Sequence, residues 1–257
     1  MDAFIKSPNL PEDKVTLAVV DGRVRKSIIE EMGRMGIEVI KADVCKDLYE
    51  AVQGHADMFM HHLRGKDIVI APNAPIGTRN ALSKHGFNLI EGDRVITRKY
   101  PGDIAYNVAR AANYAICNKR YTDTKLLQCL HDLDIKIIDI SQGYAKCSIC
   151  IVNGDAFITS DEGIYKTLIK EGLDALKISP GNIELKGLDY GFIGGASGFI
   201  SGDTLAFTGH LKRHPDYAAI KNFLEKHNKK IKNLDEYELM DTGTIIPLKE
   251  QKGEENC

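Results

Sequence analysis

The sequence predicts one α/β domain in which five ββαβ units close into a propeller of pseudo-five-fold symmetry. Three observations predict it. A strand–helix–strand pattern recurs five times along the 257 residues, as a repeat architecture requires. An extended segment precedes every recurrence except the first. A last extended segment near the C-terminus has no helix after it, so its pairing with the N-terminal unit would complete that unit and leave no open sheet edge. The domain then spans residues 15–248, between an N-terminal arm over 1–14 and a disordered tail, KEQKGEENC, over 249–257.

The same local chemistry justifies each unit in turn. The first runs VTLAVVDGRV from Val15, a helix through Arg34, Gly36 and the strand IEVIKADV. The second runs DIVIAPNAPI from Asp67, RNALSKH, Gly86 and FNLIEGD; the third runs NYAICNKRYT from Asn113, KLLQCLHDL, Asp134 and IKIIDIS. The fourth runs DAFITSDEGI from Asp155, YKTLIKE, Gly172 and LDALKIS; the fifth runs DTLAFTGHLKRHPDY from Asp203, AIKNFLEKHN and KKIKNL. Short apolar, β-rich runs bounded by Asn, Asp or Gly read as strands that end in turns and helix caps. Leu126, Leu127 and Leu130 have helical spacing, as do Ile220, Phe223 and Leu224. Gly36, Gly86 and Gly172 suit the left-handed residue after a helix, and Pro215 suits a first helical position. The helix stops at 36, 86, 134, 172 and 228 are unevenly spaced, so the units share a pattern rather than a sequence. The leading extended segments are HADMFMHHL, YPGDIAYNVA, GYAKCSICIV and FIGGASGFI, and the last is LMDTGTIIPL.

Composition narrows the function classes. Lys plus Arg number 34 and Asp plus Glu 36, a formal charge of −2, which argues against a nucleic-acid partner because such a partner needs a basic face. No apolar run approaches the roughly 18 residues of a membrane span. The start lacks a basic segment followed by an apolar one. Six scattered cysteines without a secretory signal read as reduced thiols in a cytoplasm.

Few residues carry chemistry. As a strand, the first leading segment would alternate His55, Asp57, Phe59 and His61 onto one face, so His55 and Asp57 would point together; the plainer reading is a solvated edge. Cys147 and Cys150 form a C-x-x-C that runs into Ile151 and Val152, a strand with the sulfurs on opposite faces, whereas a redox pair opens a helix. No second C-x-x-C completes a zinc site. A buried, inert thiol suits Cys117, Cys129 and Cys150. His55, Asp57 and His61, with His62 as a spare, are suitable metal ligands but lack a fourth group, so no metal is expected. The stretch GFIGGASG over 191–198 does not match G-x-G-x-x-G and opens no helix. It reads as close backbone packing, and no cofactor is expected.

His55-Ala56-Asp57-Met58 is similar to the His-x-Asp motif of the guanidine-modifying enzymes, whose pentein fold sets five ββαβ units around a pseudo-five-fold axis. Gly143-Tyr144-Ala145-Lys146-Cys147-Ser148-Ile149 resembles the segment that presents their nucleophilic cysteine. One unit separates the two segments, as in that superfamily. The resemblance covers residues 15–248 and is nearest in kind to a clostridial-type branch with no assigned activity. Two departures stand out. The cysteine lies mid-chain rather than near the C-terminus, which implies a circularly shifted start. Neither Glu-Gly-Gly-Asp nor Arg-Asp occurs intact, and Asp103 and Asp241 are the nearest substitutes.

The resemblance implies a cysteine-dependent hydrolase or amidinotransferase acting on a guanidine or amidine compound through a covalent thiol intermediate. Cys147 would be the nucleophile, with Lys146 beside it favouring the thiolate, and His55 the acid–base group. Asp57, with Asp103 or Asp241, would hold the planar cation, for which paired carboxylates are the best partners. Asn107 and Ser197 complete the implied substrate site, and the implied partner is a small cationic molecule. A second function class is a non-catalytic pentein, resembling the ribosome anti-association factors, that works as a binding surface. Burial of Cys147 away from His55 would favour that class.

Overall fold

The apolar runs pair as short strands, and the striped segments cover them as helices. The computed structural model describes residues 2–251. The chain begins with β1 (Asp2–Phe4), β2 (Val15–Asp21), α1 (Lys26–Arg34) and β3 (Glu38–Ala42). Next come β4 (Met60–Arg64), β5 (Asp67–Ile70), α2 (Ile76–Lys84) and β6 (Asn88–Glu91), then β7 (Ala109–Ala111), β8 (Tyr114–Cys117), α3 (Thr124–Asp132) and β9 (Lys136–Asp139). The one-turn α4 (Ala145–Ser148) leads into β10 (Ile149–Ile151), β11 (Ala156–Thr159), α5 (Glu162–Lys170) and β12 (Asp174–Lys177). The remainder is β13 (Ile183–Glu184), β14 (Ser197–Phe199), β15 (Thr204–Phe207), α6 (Tyr217–Lys226), β16 (Lys230–Asn233), β17 (Leu239–Met240) and β18 (Ile246–Gln251).

Five sheets share one build. A first strand pairs antiparallel with a second, and the second pairs in parallel with a third: β4-β5-β6, β7-β8-β9, β10-β11-β12, β14-β15-β16 and β18-β2-β3. A parallel neighbour needs a crossover, and each sheet has one helix there. In the last sheet the first strand comes from the C-terminus and β1 flanks it, with Phe4 opposite Lys249. β13 and β17 make a small parallel pair apart from these.

Local signals set the helix ends. The Asp123 carboxylate accepts from the Leu126 amide at 2.8 Å and that of Asp161 from the Ile164 amide at 2.8 Å, which satisfies first-turn donors. Positive φ closes four helices at Gly36, Gly86, Asp134 and Gly172 (77°, 87°, 54° and 78°), and a fifth at Asn228 (56°). Leu126 and Leu168 are fully buried under their helices, worth roughly 1.5–3 kcal/mol each. Among the described residues no helix is long and apolar enough to cross a membrane.

Several stretches differ from the sequence reading, and the difference matters for the site. HADMFMHHL is not a continuous strand. The Met58 and Phe59 amides donate to the His55 and Ala56 carbonyls, so Ala56–Met58 forms a 3₁₀ turn and β4 starts only at Met60. The other leading segments also bend before a short strand. YPGDIAYNVA is a turn up to β7, held by the Tyr106 hydroxyl donating to the Arg94 carbonyl at 2.7 Å. Cys147 lies in α4 rather than in a strand. Residues 191–196 and 241–245 are irregular ahead of β14 and β18.

Pro215 is not a first helical residue. The Tyr217 amide donates to the His214 carbonyl, so a further turn follows the 3₁₀ turn Leu211–Arg213 before α6 begins. Residues 249–251 belong to β18 rather than to a tail. The Glu250 carboxylate accepts from the Glu12 and Asp13 amides at 2.6 and 2.9 Å, and the Lys249 ammonium lies 4.8 Å from the centre of the Phe4 ring. Residues 252–257 of the expected tail lie outside the described residues.

Candidate active site

The bends ahead of the inner strands bring side chains together that straight strands would have turned apart. His55 and Asp57 come from the turn before β4, Asn107 from that before β7, Cys147 from α4 and Asp241 from the stretch before β18. The Cys147 thiol donates to Asp57 Oδ2 at 3.1 Å, and Asn107 Nδ2 donates to Sγ at 3.3 Å. Asn107 Oδ1 accepts from the Lys146 amide at 2.8 Å, which pins the turn that presents the sulfur. The His55 ring sits between two carboxylates, Nε2 at 3.8 Å from Asp21 Oδ2 and Nδ1 at 3.9 Å from Asp241 Oδ1. Asp241 is held by the Phe192 and Gly243 amides at 2.9 and 3.0 Å.

Two glycines make room for this cluster. A Cβ on Gly195 would overlap the Asp241 carboxylate, and one on Gly243, which has φ 66°, would overlap the His55 ring. The glycine-rich stretch expected to pack closely therefore does so against Asp241.

Burial dominates the electrostatics. It pushes Asp57 up to about 6, with His55 and Lys146 pulling the other way. It also pushes Asp241 up. Burial first, then the Asp57 and Asp241 charges, raise the Cys147 thiol well above its ordinary range, so this thiol is protonated at neutral pH. The buried His55 Nδ1 and Asp57 Oδ1 have no hydrogen-bond partner among the described residues, and such atoms mark places where a ligand fits.

The expected site residues part company here. Cys147, His55, Asp57, Asn107 and Asp241 come together. Asp103 does not join them: its Oδ2 accepts the Tyr144 hydroxyl at 2.7 Å and it supports that ring from behind. The Ser197 hydroxyl donates to the Gly194 carbonyl at 3.3 Å within the glycine-rich turn, away from the sulfur. Lys146 makes no hydrogen bond to the sulfur: its ammonium donates to Thr244 Oγ1 at 2.6 Å. Asp21 was overlooked: in sequence its Asp-Gly pair is only a turn signal, yet it ends the central β2 beside His55. His61 and His62 lie behind the site with Asp57, around a cavity of about 20 Å³.

His55, Cys147 and Asp241 open onto a cavity of about 240 Å³, with Tyr49, Tyr144 and Phe192 among its walls. A neighbouring cavity of about 380 Å³ shares His55 and Asp241. Sγ, a His55 nitrogen and an Asp57 oxygen all lie within 4.8 Å of one another, and among the described residues they form the one group spaced to hold a metal ion; zinc accepts such donors.

A thiol, an imidazole and carboxylates thus sit at the bends of three of the five like sheets. The chain has the pentein fold of the guanidine-modifying enzymes. It belongs to a family of unknown function (DUF6873), whose model matches residues 19–246. Its structure is similar to that of an amidinotransferase of the saxitoxin biosynthetic pathway from Microseira wollei, at 11% identity over 89% of this chain and 91% of that one, with a TM-score of 0.55. It is similar to C. jejuni agmatine deiminase at 15% identity over 91% and 90%, with a TM-score of 0.53. It is also similar to DDAH from Pseudomonas aeruginosa at 6% identity over 86% and 92%, with a TM-score of 0.51. No curated protein matches the chain by sequence.

Proposed function

We propose that the protein is a cysteine-dependent enzyme acting on a guanidine or amidine compound through a covalent thiol intermediate. The observation that carries this reading is the approach of Cys147 Sγ, His55 and Asp57 to within 4.8 Å of one another, at a cavity that Asp241 also lines. Two structural neighbours add support, since the substrate-bound agmatine deiminase and the citrulline complex of DDAH each carry a Cys→Ser substitution. A protein that worked only as a binding surface would have no use for such a cluster. Contacts in series between β18, β14, β10 and β7 support reading the five sheets as blades of a propeller around the site. The free thiols of Cys45, Cys117, Cys129, Cys147 and Cys150 support a cytoplasmic setting.

In this reading Asp241 at the cavity wall and Asp57 beneath it hold the planar cation. The bound cation offsets both carboxylates, which lowers the Cys147 pKa, so the nucleophile forms only with substrate in place. The thiol gives its proton to His55 and Sγ bonds to the central carbon. The carbon–nitrogen bond to the leaving group breaks, and the amine departs with the proton from His55, leaving the amidino group on sulfur. Water, or an acceptor amine in a transferase, then loses a proton to His55 as it bonds to the same carbon. The sulfur–carbon bond breaks and the thiol recovers its proton.

Incubation with methylguanidine, agmatine, arginine and benzylguanidine, followed by acid quenching, should trap an amidino adduct on the Cys147 peptide. The adduct should be absent from Cys147→Ser. Failure of every compound to give an adduct or a product would remove the proposal.

A further inference from the structure

We infer that the site takes a guanidine or amidine whose other end is apolar and carries no carboxylate, an aryl- or alkyl-substituted cation rather than an amino acid. The inference rests on the roles given above to Cys147 and Asp241. It comes from the apolar walls of the 240 Å³ cavity, which are Tyr49, Tyr144, Tyr190 and Phe192 with Val52, Leu185 and Leu188. The Tyr144 and Phe192 rings stack at 6.5 Å and 29°, and Tyr190 meets Phe192 edge-on at 6.4 Å and 86°. The volume equals that of about eight waters, room for a planar head, a short linker and one ring.

A carboxylate on the substrate would need a cation to meet it. No Lys or Arg among the described residues lines this cavity, and its carboxylic side chains are those of Asp189 and Asp241. The basic groups nearby are engaged or turned elsewhere. Arg23 Nη2 donates to Asp21 Oδ2 at 2.6 Å and to the Ala51 carbonyl at 2.9 Å. Lys146 donates to Thr244. Lys186 lines the neighbouring cavity, on the other side of Leu185. An entering carboxylate would lose water and find no Lys or Arg to pair with and two acidic side chains to repel it, whereas an aryl or alkyl group buries apolar surface and sets its delocalised cation beside aromatic faces. The segment over 185–192 supplies four of the seven apolar walls, with Leu188 and Tyr190 at the mouth, 50% and 43% exposed. Selectivity for the tail therefore resides in one short segment.

Calorimetry on the Cys147→Ser protein, where turnover is blocked, should show benzylguanidine binding at least about tenfold more tightly than arginine. In the Leu188→Ala/Tyr190→Ala variant, the preference for benzylguanidine over methylguanidine should fall toward one. Protection of Cys147 in the otherwise unaltered protein against 2-chloroacetamidine should follow the same order, independently of the Ser variant. Arginine that binds as tightly as benzylguanidine, and weakens in Lys186→Ala, would overturn the inference and leave the guanidine reading standing. If no guanidine binds or protects, both fall together.

Discussion

His55 and His61 leave the same short segment and end in opposite surroundings. Both are buried, at 1% and 5% exposure. His55 has carboxylates on either side and an open cavity in front. His61 faces a void of only about 20 Å³ shared with His62, Lys146 and Thr244, against about 240 Å³ in front of His55. Burial, then Arg110, His62 and Lys146, hold His61 down to about 3, and burial holds His62 down to about 4. These two stay uncharged at neutral pH, and the void they line has room for about one water. What separates the two histidines is the sign of their neighbours and the size of the space before them, not their burial.

Substitutions around the larger cavity should therefore remove activity, and those around the small void should alter only stability. The largest expected effect is that of Cys147→Ala, which should lower product formation by about 10³-fold or more while moving urea unfolding by about 1 kcal/mol. Next, His55→Gln should lower kcat by about 10²- to 10⁴-fold, whereas His61→Leu, in the same assay, should leave the rate near that of the parent protein.

The pH dependence sharpens the contrast. Asp57 rises from 3.8 to about 6 on folding, so its favourable contribution is complete below pH 4 and is lost as the pH rises through 6. Asp57→Asn should then be more stable than the parent protein above pH 6, by up to about 3 kcal/mol, and level with it below pH 4, although inactive. His61 shows the opposite sign. Its pKa falls from 6.5 to about 3, so its contribution is present above pH 6.5 and is lost as the pH falls toward 3. His61→Leu should flatten the acid limb of the stability curve, by about 2 kcal/mol at pH 5.

The comparison also shows what was legible in the sequence. Apolar runs and turn residues located the strands, helices and helix stops, because those signals are local. Motif resemblance singled out His55, Asp57 and Cys147, which the fold brings within 4.8 Å of one another. The straight-strand argument for their meeting was mistaken, since it is the 3₁₀ turn at Ala56–Met58 and the one-turn α4 that aim them. Asp103 and Asp241 look alike in sequence, both acidic and both ahead of an inner strand. Only the fold shows that Tyr144 engages one while the other faces His55. Lys146 misled for a geometric reason: successive residues on a helix point about 100° apart, so its ammonium reaches Thr244 rather than the sulfur.

The central claim is that Cys147 becomes a nucleophile when a planar cation sits against Asp57 and Asp241. The most direct test compares 2-chloroacetamidine with the neutral 2-chloroacetamide on Cys257→Ser protein at pH 7, following the Cys147 peptide by mass. Relative to free cysteine, Cys147 should react more slowly with the amide and faster with the amidine, and Asp241→Asn should erase that preference. Rates at Cys147 in the same ratio as for free cysteine, with no change in Asp241→Asn, would contradict the account.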